Sequence, residues 1–214
     1  MIDNTNNIFK KTFIWMFIGL MITGVISWFT YQSNFMAEVL VNFFMPLVII
    51  ELVVVMAFSF GFKKLPANVV AILFIVYAII NGLMFSTIFY TYELNSITFI
   101  FFGTAILFLI LGLIGYNTEA NLSGMGRILL VALFIGIIMT IINIFLNNSM
   151  LDIILTWAIL LIFCGLTIYD INKLKHMANE IDHTNKLHIH FAMQLYLDFI
   201  NIFLKLLRLF GNRK

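Results

Sequence analysis

Seven apolar runs divide the chain, at residues 12–30, 39–62, 67–90, 96–115, 127–146, 153–171 and 190–210. Each is close to the roughly 20 mostly apolar residues that carry an α-helix across a bilayer. The first six are almost uninterrupted. The seventh carries Gln194, Asp198, Asn201, Lys205 and Arg208. The connections are short, and the one sizeable polar stretch is 172–189. The pattern predicts an all-α integral membrane protein, a single transmembrane domain over residues 1–214 with seven transmembrane helices.

Composition agrees with this reading. The chain is 63% hydrophobic and 10% charged, with a mean hydropathy of +1.07. A soluble domain carries roughly 25% charged residues, so most of this surface is expected to meet lipid. Lys10 and Lys11 before the first run resemble the start of a secretion signal. The run is longer than a signal core of about 7–15 residues and lacks an A-x-A site, so it reads as an uncleaved span. A single cysteine, Cys164, excludes an internal disulfide framework, and a net charge of +2 without a basic tract gives no reason to expect nucleic acid.

Charge placement predicts orientation, because Lys and Arg collect in cytoplasmic loops. Lys10, Lys11, Lys63, Lys64, Arg127, Lys173, Lys175 and Lys186 fall on one side, and Glu38, Glu93 and Asp152 on the other. The N-terminus is expected in the cytoplasm and the protein in the plasma membrane. Arg213 and Lys214 conflict with this if the last segment crosses fully; a re-entrant segment would remove the conflict. A full crossing is the preferred reading.

Ionisable groups within spans are expensive and are functional candidates by default. Three acids qualify: Glu51, Asp170 and Asp198. On the seventh run, Gln194, Asp198, Asn201, Lys205 and Arg208 are spaced four, three, four and three, which puts them on one helical face. Such a helix either lies flat on the membrane or stands within the protein and lines a polar path. The second reading is preferred. Two carboxylates buried close together cannot both ionise easily and titrate as a unit. Ionised, they are a hard-oxygen site suited to Ca²⁺. Sequence alone leaves it open whether Asp170 and Asp198 meet or each merely binds a neighbouring helix.

At these residues the chain resembles the Bax inhibitor-1 family. Thr12-Phe13-Ile14-Trp15-Met16 with Gly19-Leu20 and Thr23-Gly24 looks like the family's opening helix. Gly82 through Phe85-Ser86 looks like its third, Thr104-Ala105 and Gly115 like its fourth, and Asn121-Leu122-Ser123-Gly124-Met125-Gly126 like its short loop, with Asn121 where Asp is usual. The strongest pieces are Phe163-Cys164-Gly165-Leu166-Thr167-Ile168-Tyr169-Asp170 and Leu195-Tyr196-Leu197-Asp198-Phe199-Ile200-Asn201-Ile202-Phe203-Leu204. The resemblance implies six helices surrounding a central seventh. It also implies that Asp170 and Asp198 form an aspartate pair that senses pH for a calcium leak and holds the ion. Glu51 matches an acid of bacterial relatives and, with Asn201, is assigned to the permeation path. Those relatives place an Arg near the end of the second helix. Counted without gaps from Glu51, that position is Phe62, so Lys63 is the nearest basic candidate for a latch. Lys205 stands where an apolar or aromatic residue is common.

Other signals are weaker. His176, His183, His188 and His190 lie in or beside one connection, but their spacing fits no metal-ligand motif. Cys164 and the glycines within spans read as packing, and Asn81 and Asn143 as interhelical glue. No enzyme motif is found, and the context of Asp198 does not suit an aspartyl intramembrane protease. The expected function is a pH-sensitive calcium leak with no enzymatic activity and no cofactor, whose partners are the lipid bilayer, Ca²⁺ and protons. The rival is a non-conducting regulatory protein that binds other membrane proteins through loops such as 172–189. A proton-coupled transporter would need a substrate pocket that the sequence does not show.

Overall fold

Away from water, backbone N–H and C=O groups must find partners within their own segment, so an apolar run closes into a helix. The computed structural model describes residues 2–62, 64–180 and 186–214. Its helices are α1 (Ile2–Gln32), α2 (Asn34–Gly61), α3 (Ala67–Thr91), α4 (Leu94–Asn117), α5 (Ser123–Leu146), α6 (Ser149–Glu180) and α7 (Leu187–Phe210). Six are long and apolar enough to cross a membrane. The other, α2, has 28 residues and a described apolar stretch at Met45–Phe58. The chain is thus an all-α membrane protein of seven helices.

The sixth helix differs from expectation. Residues 172–180, read from sequence as connection, continue α6 to Glu180. Ile171, Leu174 and Ala178 keep helical spacing and are all buried, so the apolar face outlasts the apolar run. Polar residues on the other face, Lys173 among them, masked that continuity. Asp170 therefore lies well inside its helix.

The chain forms two compact units. The first holds α1, α2, α3, residues 187–196 of α7 and the last two residues. Here α1 lies close along α3 because small residues permit it. A Cβ on Gly82 would stand 2.7 Å from Ile26 Cβ, and one on Gly19 would stand 2.6 Å from the Phe74 ring. Hydroxyls join the two helices: Ser27 Oγ donates to Gly82 O at 3.0 Å and Thr23 Oγ1 to Ala78 O at 3.0 Å.

The second unit holds α4, α5, α6 and residues 197–212. Glycines again set the spacing. A Cβ on Gly115 would lie 2.5 Å from Ile168 O, one on Gly126 would lie 2.5 Å from the Tyr169 ring, and one on Gly165 would lie 2.8 Å from Leu129. Phe199 of α7 stands edge-on to Phe101 and Phe108 of α4, both at 5.5 Å. Outward faces are apolar: Phe99, Phe102, Ile106, Leu109 and Leu113 line one side of α4 and are exposed. A surface of this kind suits lipid and not water.

α7 is the most buried of the six spans. Both of its faces are covered, with Leu195, Tyr196 and Ile202 inaccessible and Asp198 only 3% exposed. That overturns the flat-lying reading, which needs an exposed polar face. The residues that flank α7 reach opposite ends of α3. Lys186 Nζ donates to Leu65 O at 2.8 Å, just before α3 begins, and Lys214 N donates to Thr91 O at 3.0 Å, where α3 ends. Lys214 Nζ also donates to Phe89 O at 2.7 Å. The late positive charge thus sits on the carbonyl end of α3, where the helix dipole favours a cation.

Candidate carboxylate site

In the second unit, α6 carries Thr167 and Asp170 one turn apart and α7 presents Asp198. Both carboxylates are buried, Asp170 to 5% exposure and Asp198 to 3%. They lie within electrostatic reach of each other, and the Thr167 hydroxyl, which donates to Phe163 O at 2.9 Å, stands beside Asp198. Lys173, further along α6, is the positive charge that acts on Asp170. Asp198 Oδ2 has no hydrogen-bond partner among the described residues. A buried carboxylate oxygen without a donor is costly, so it calls for a proton, a water or a cation. Two carboxylates and a hydroxyl are too few for the six to eight oxygens that Ca²⁺ takes. Water would have to complete the shell, which suits weak and transient binding. No group of three or more acidic, histidine or cysteine ligands occurs among the described residues.

Glu51 falls in the first unit. On α2, Glu51, Val54 and Phe58 share one face, with Val54 and Phe58 buried and Glu51 half-buried. Asn81 Nδ2 donates to Glu51 Oε1 at 2.9 Å and to Tyr77 O at 3.3 Å. The Tyr77 hydroxyl also lies beside the Glu51 carboxylate. Sequence reasoning took Asn81 as interhelical glue. It is that, and it is also what holds Glu51 inward. Tyr77 was missed, although it stands one turn before Asn81 on the same face of α3.

Along α7 the polar stripe becomes more exposed. Asn201 is half-buried and turns its Nδ2 back onto Leu197 O at 2.8 Å. Arg208 is exposed and forms an ion pair with Asp152 at the start of α6. The charged groups that act on Lys205 are Arg208 and Asp152, so it belongs to that end of the unit and not to Asp198. The latch candidate Lys63 lies outside the described residues. Its neighbour Phe62 stacks on the His190 ring at 4.1 Å, with Lys186 Nζ 5.2 Å from its centroid. His183 also lies outside the described residues. His176 belongs to α6, and His188 and His190 to the first turn of α7.

Fold and site together define a polytopic α-helical membrane protein with a carboxylate pair buried inside its second unit. The family model described as inhibitor of apoptosis-promoting Bax1 matches residues 5–214. The inner membrane protein YbhL of Escherichia coli is 38% identical over 208 residues, covering 94% of this chain and 89% of its own. A protein of Borreliella burgdorferi named only as uncharacterized is 33% identical over 216 residues, covering 98% and 93%. An uncharacterized membrane protein of Streptococcus pyogenes is 29% identical over 217 residues, covering 97% and 93%. This chain belongs to the Bax inhibitor-1 family.

Proposed function

We propose that the chain is a pH-sensitive calcium leak channel of the plasma membrane, with Asp170 and Asp198 as its shared proton and Ca²⁺ site. The observation that carries this reading is the buried pair itself: two carboxylates within mutual reach, one with an oxygen that no described donor satisfies. Protons and Ca²⁺ compete for the same oxygens, so acid displaces the ion and alkali favours it. The small number of ligands supports release over storage, which a leak requires. Glu51, turned inward by Asn81, and Asn201, next along the stripe from Asp198, belong to the permeation path. The N-terminus is cytoplasmic, as the distribution of Lys and Arg implies.

The test is Ca²⁺ entry into proteoliposomes at acidic, neutral and alkaline pH. The wild type is compared with Asp170→Asn and Asp198→Asn. The wild type should show a pH-dependent flux that either substitution abolishes or makes independent of pH. No flux above empty liposomes at any pH would refute the leak and favour a non-conducting partner of other membrane proteins.

A further inference from the structure

Exposure rises along the polar stripe of α7 as the helix approaches its end. Asp198 is buried, Asn201 and Lys205 are half-buried, and Arg208 is exposed. On the same stretch Ile202, Phe203 and Leu207 are buried. A helix face in contact with lipid turns apolar residues outward, as α4 does at Phe102, Ile106 and Leu109. Here Asn201, Lys205 and Arg208 are the accessible residues of the stripe, so this face suits water.

The charges on that face do not cancel. Arg208 pairs with Asp152 in the first turn of α6. Lys205, one turn before Arg208, has no hydrogen bond or ion pair among the described residues. The charged groups that act on it are Arg208 and Asp152. Two cations therefore share one carboxylate, and one positive charge is left over. Lys205 also stands one turn beyond Asn201 on the same helical face. A charge in a span needs a partner or water, and no partner holds this one.

We infer that Lys205 is a specificity-determining residue: it fixes a positive charge at the Arg208 end of the polar stripe, which slows divalent cations entering from that end and favours anions. The inference rests on reading the stripe as a permeation path, and it places an electrostatic barrier on that path. Lys205→Met removes the charge and keeps an unbranched side chain of similar length.

The experiment sets a thiol beside the charge. Cys164, the single cysteine of the chain, is replaced by Ala, and Asn201→Cys is added to the full-length protein in nanodiscs, where both sides of the bilayer are open to reagent. Methanethiosulfonates that carry a sulfonate or a trimethylammonium group report the local potential as a ratio of rates, each divided by its rate with a free thiol in solution. A unit charge four helical residues away, about 6 Å along the axis, should change that ratio about tenfold at low salt with the dielectric of water. Lys205→Met should lower the sulfonate-to-ammonium ratio by this factor, and Lys205→Arg should preserve it. Asp152→Asn removes the shared carboxylate and should raise the ratio. Added salt should shrink both shifts. A ratio that Lys205→Met leaves unchanged, or a thiol at position 201 that neither reagent reaches, would overturn the inference. Should Lys205→Met fail to fold, Asp152→Asn, on an exposed ion pair, decides by the same reading.

Ca²⁺ carries two charges, so Lys205→Met should raise its flux into proteoliposomes by about the same tenfold. An unchanged flux in a conducting protein would also overturn the inference. No flux in either protein, with the reagent ratios as expected, would refute the leak and leave the charge at Lys205 standing.

Discussion

Thr23 and Tyr196 form a buried hydroxyl pair whose two halves should not be equivalent. Their oxygens are 2.7 Å apart, and both residues are almost inaccessible. Thr23 has one hydroxyl hydrogen and donates it to Ala78 O at 3.0 Å. Tyr196 must therefore be the donor to Thr23. In Tyr196→Phe the lost group is itself the donor. Thr23 keeps its own bond, and no buried donor is stranded. The cost should be near that of an average interhelical bond in a membrane protein, about 0.6 kcal/mol. In Thr23→Val the Tyr196 hydroxyl remains, buried and without its acceptor, which costs about 2 kcal/mol. Ala78 O keeps its own bond within α3 and adds little. The double variant removes donor and acceptor together, so it should be no less stable than Thr23→Val alone. Reversible unfolding in mixed detergent micelles measures all three. A Tyr196→Phe cost equal to that of Thr23→Val, or a double variant that simply adds the two, would refute the donor assignment.

Three further outcomes follow from the geometry. Gly115→Ala puts a methyl 2.5 Å from the backbone oxygen of Ile168, which cannot swing aside, and should cost about 1–3 kcal/mol; Gly24→Ala meets nothing within 4 Å and should be close to neutral in the same thermal unfolding assay. Asp152→Asn breaks an ion pair whose partners are 42% and 31% exposed, so its cost should stay below about 1 kcal/mol and shrink further in high salt. Glu51→Gln should lower Ca²⁺ flux at every pH but leave the shape of the pH profile intact, because the aspartate pair sets that shape; a flattened profile would move the sensor to Glu51.

The seven helices were legible because a bilayer imposes a length on every span, and the apolar runs meet it. The end of α6 was not, since Lys173, Lys175 and His176 break the run although Ile171, Leu174 and Ala178 still turn inward. Run length records lipid contact, and burial against protein lets a helix continue past it. The direction of α7 was also ambiguous. Arg213 and Lys214 argued against a full crossing only when counted as loop charges. In the structure Lys214 sits on the carbonyl end of α3 and over the Tyr31 ring. Residues such as Asn172 and Tyr77 could not be singled out at all, because an Asn or Tyr in a span looks the same whether it points at lipid, at a helix end or at a carboxylate.

Hydrogen-bond closure separates the buried polar groups into two kinds that sequence does not distinguish. Thr23, Ser27, Thr104, Asn143, Thr167 and Asn172 all close onto backbone oxygens, of their own helix or another. These bonds leave no donor stranded, and such residues act as joints. Asp198 Oδ2 and Gln194 Oε1 are buried acceptors without donors among the described residues, and they stand one turn apart on the polar face of α7. Packing alone gives no reason to keep an acceptor in that state, since an apolar residue of similar shape would be more stable there. A proton, a water or a cation would satisfy such an acceptor.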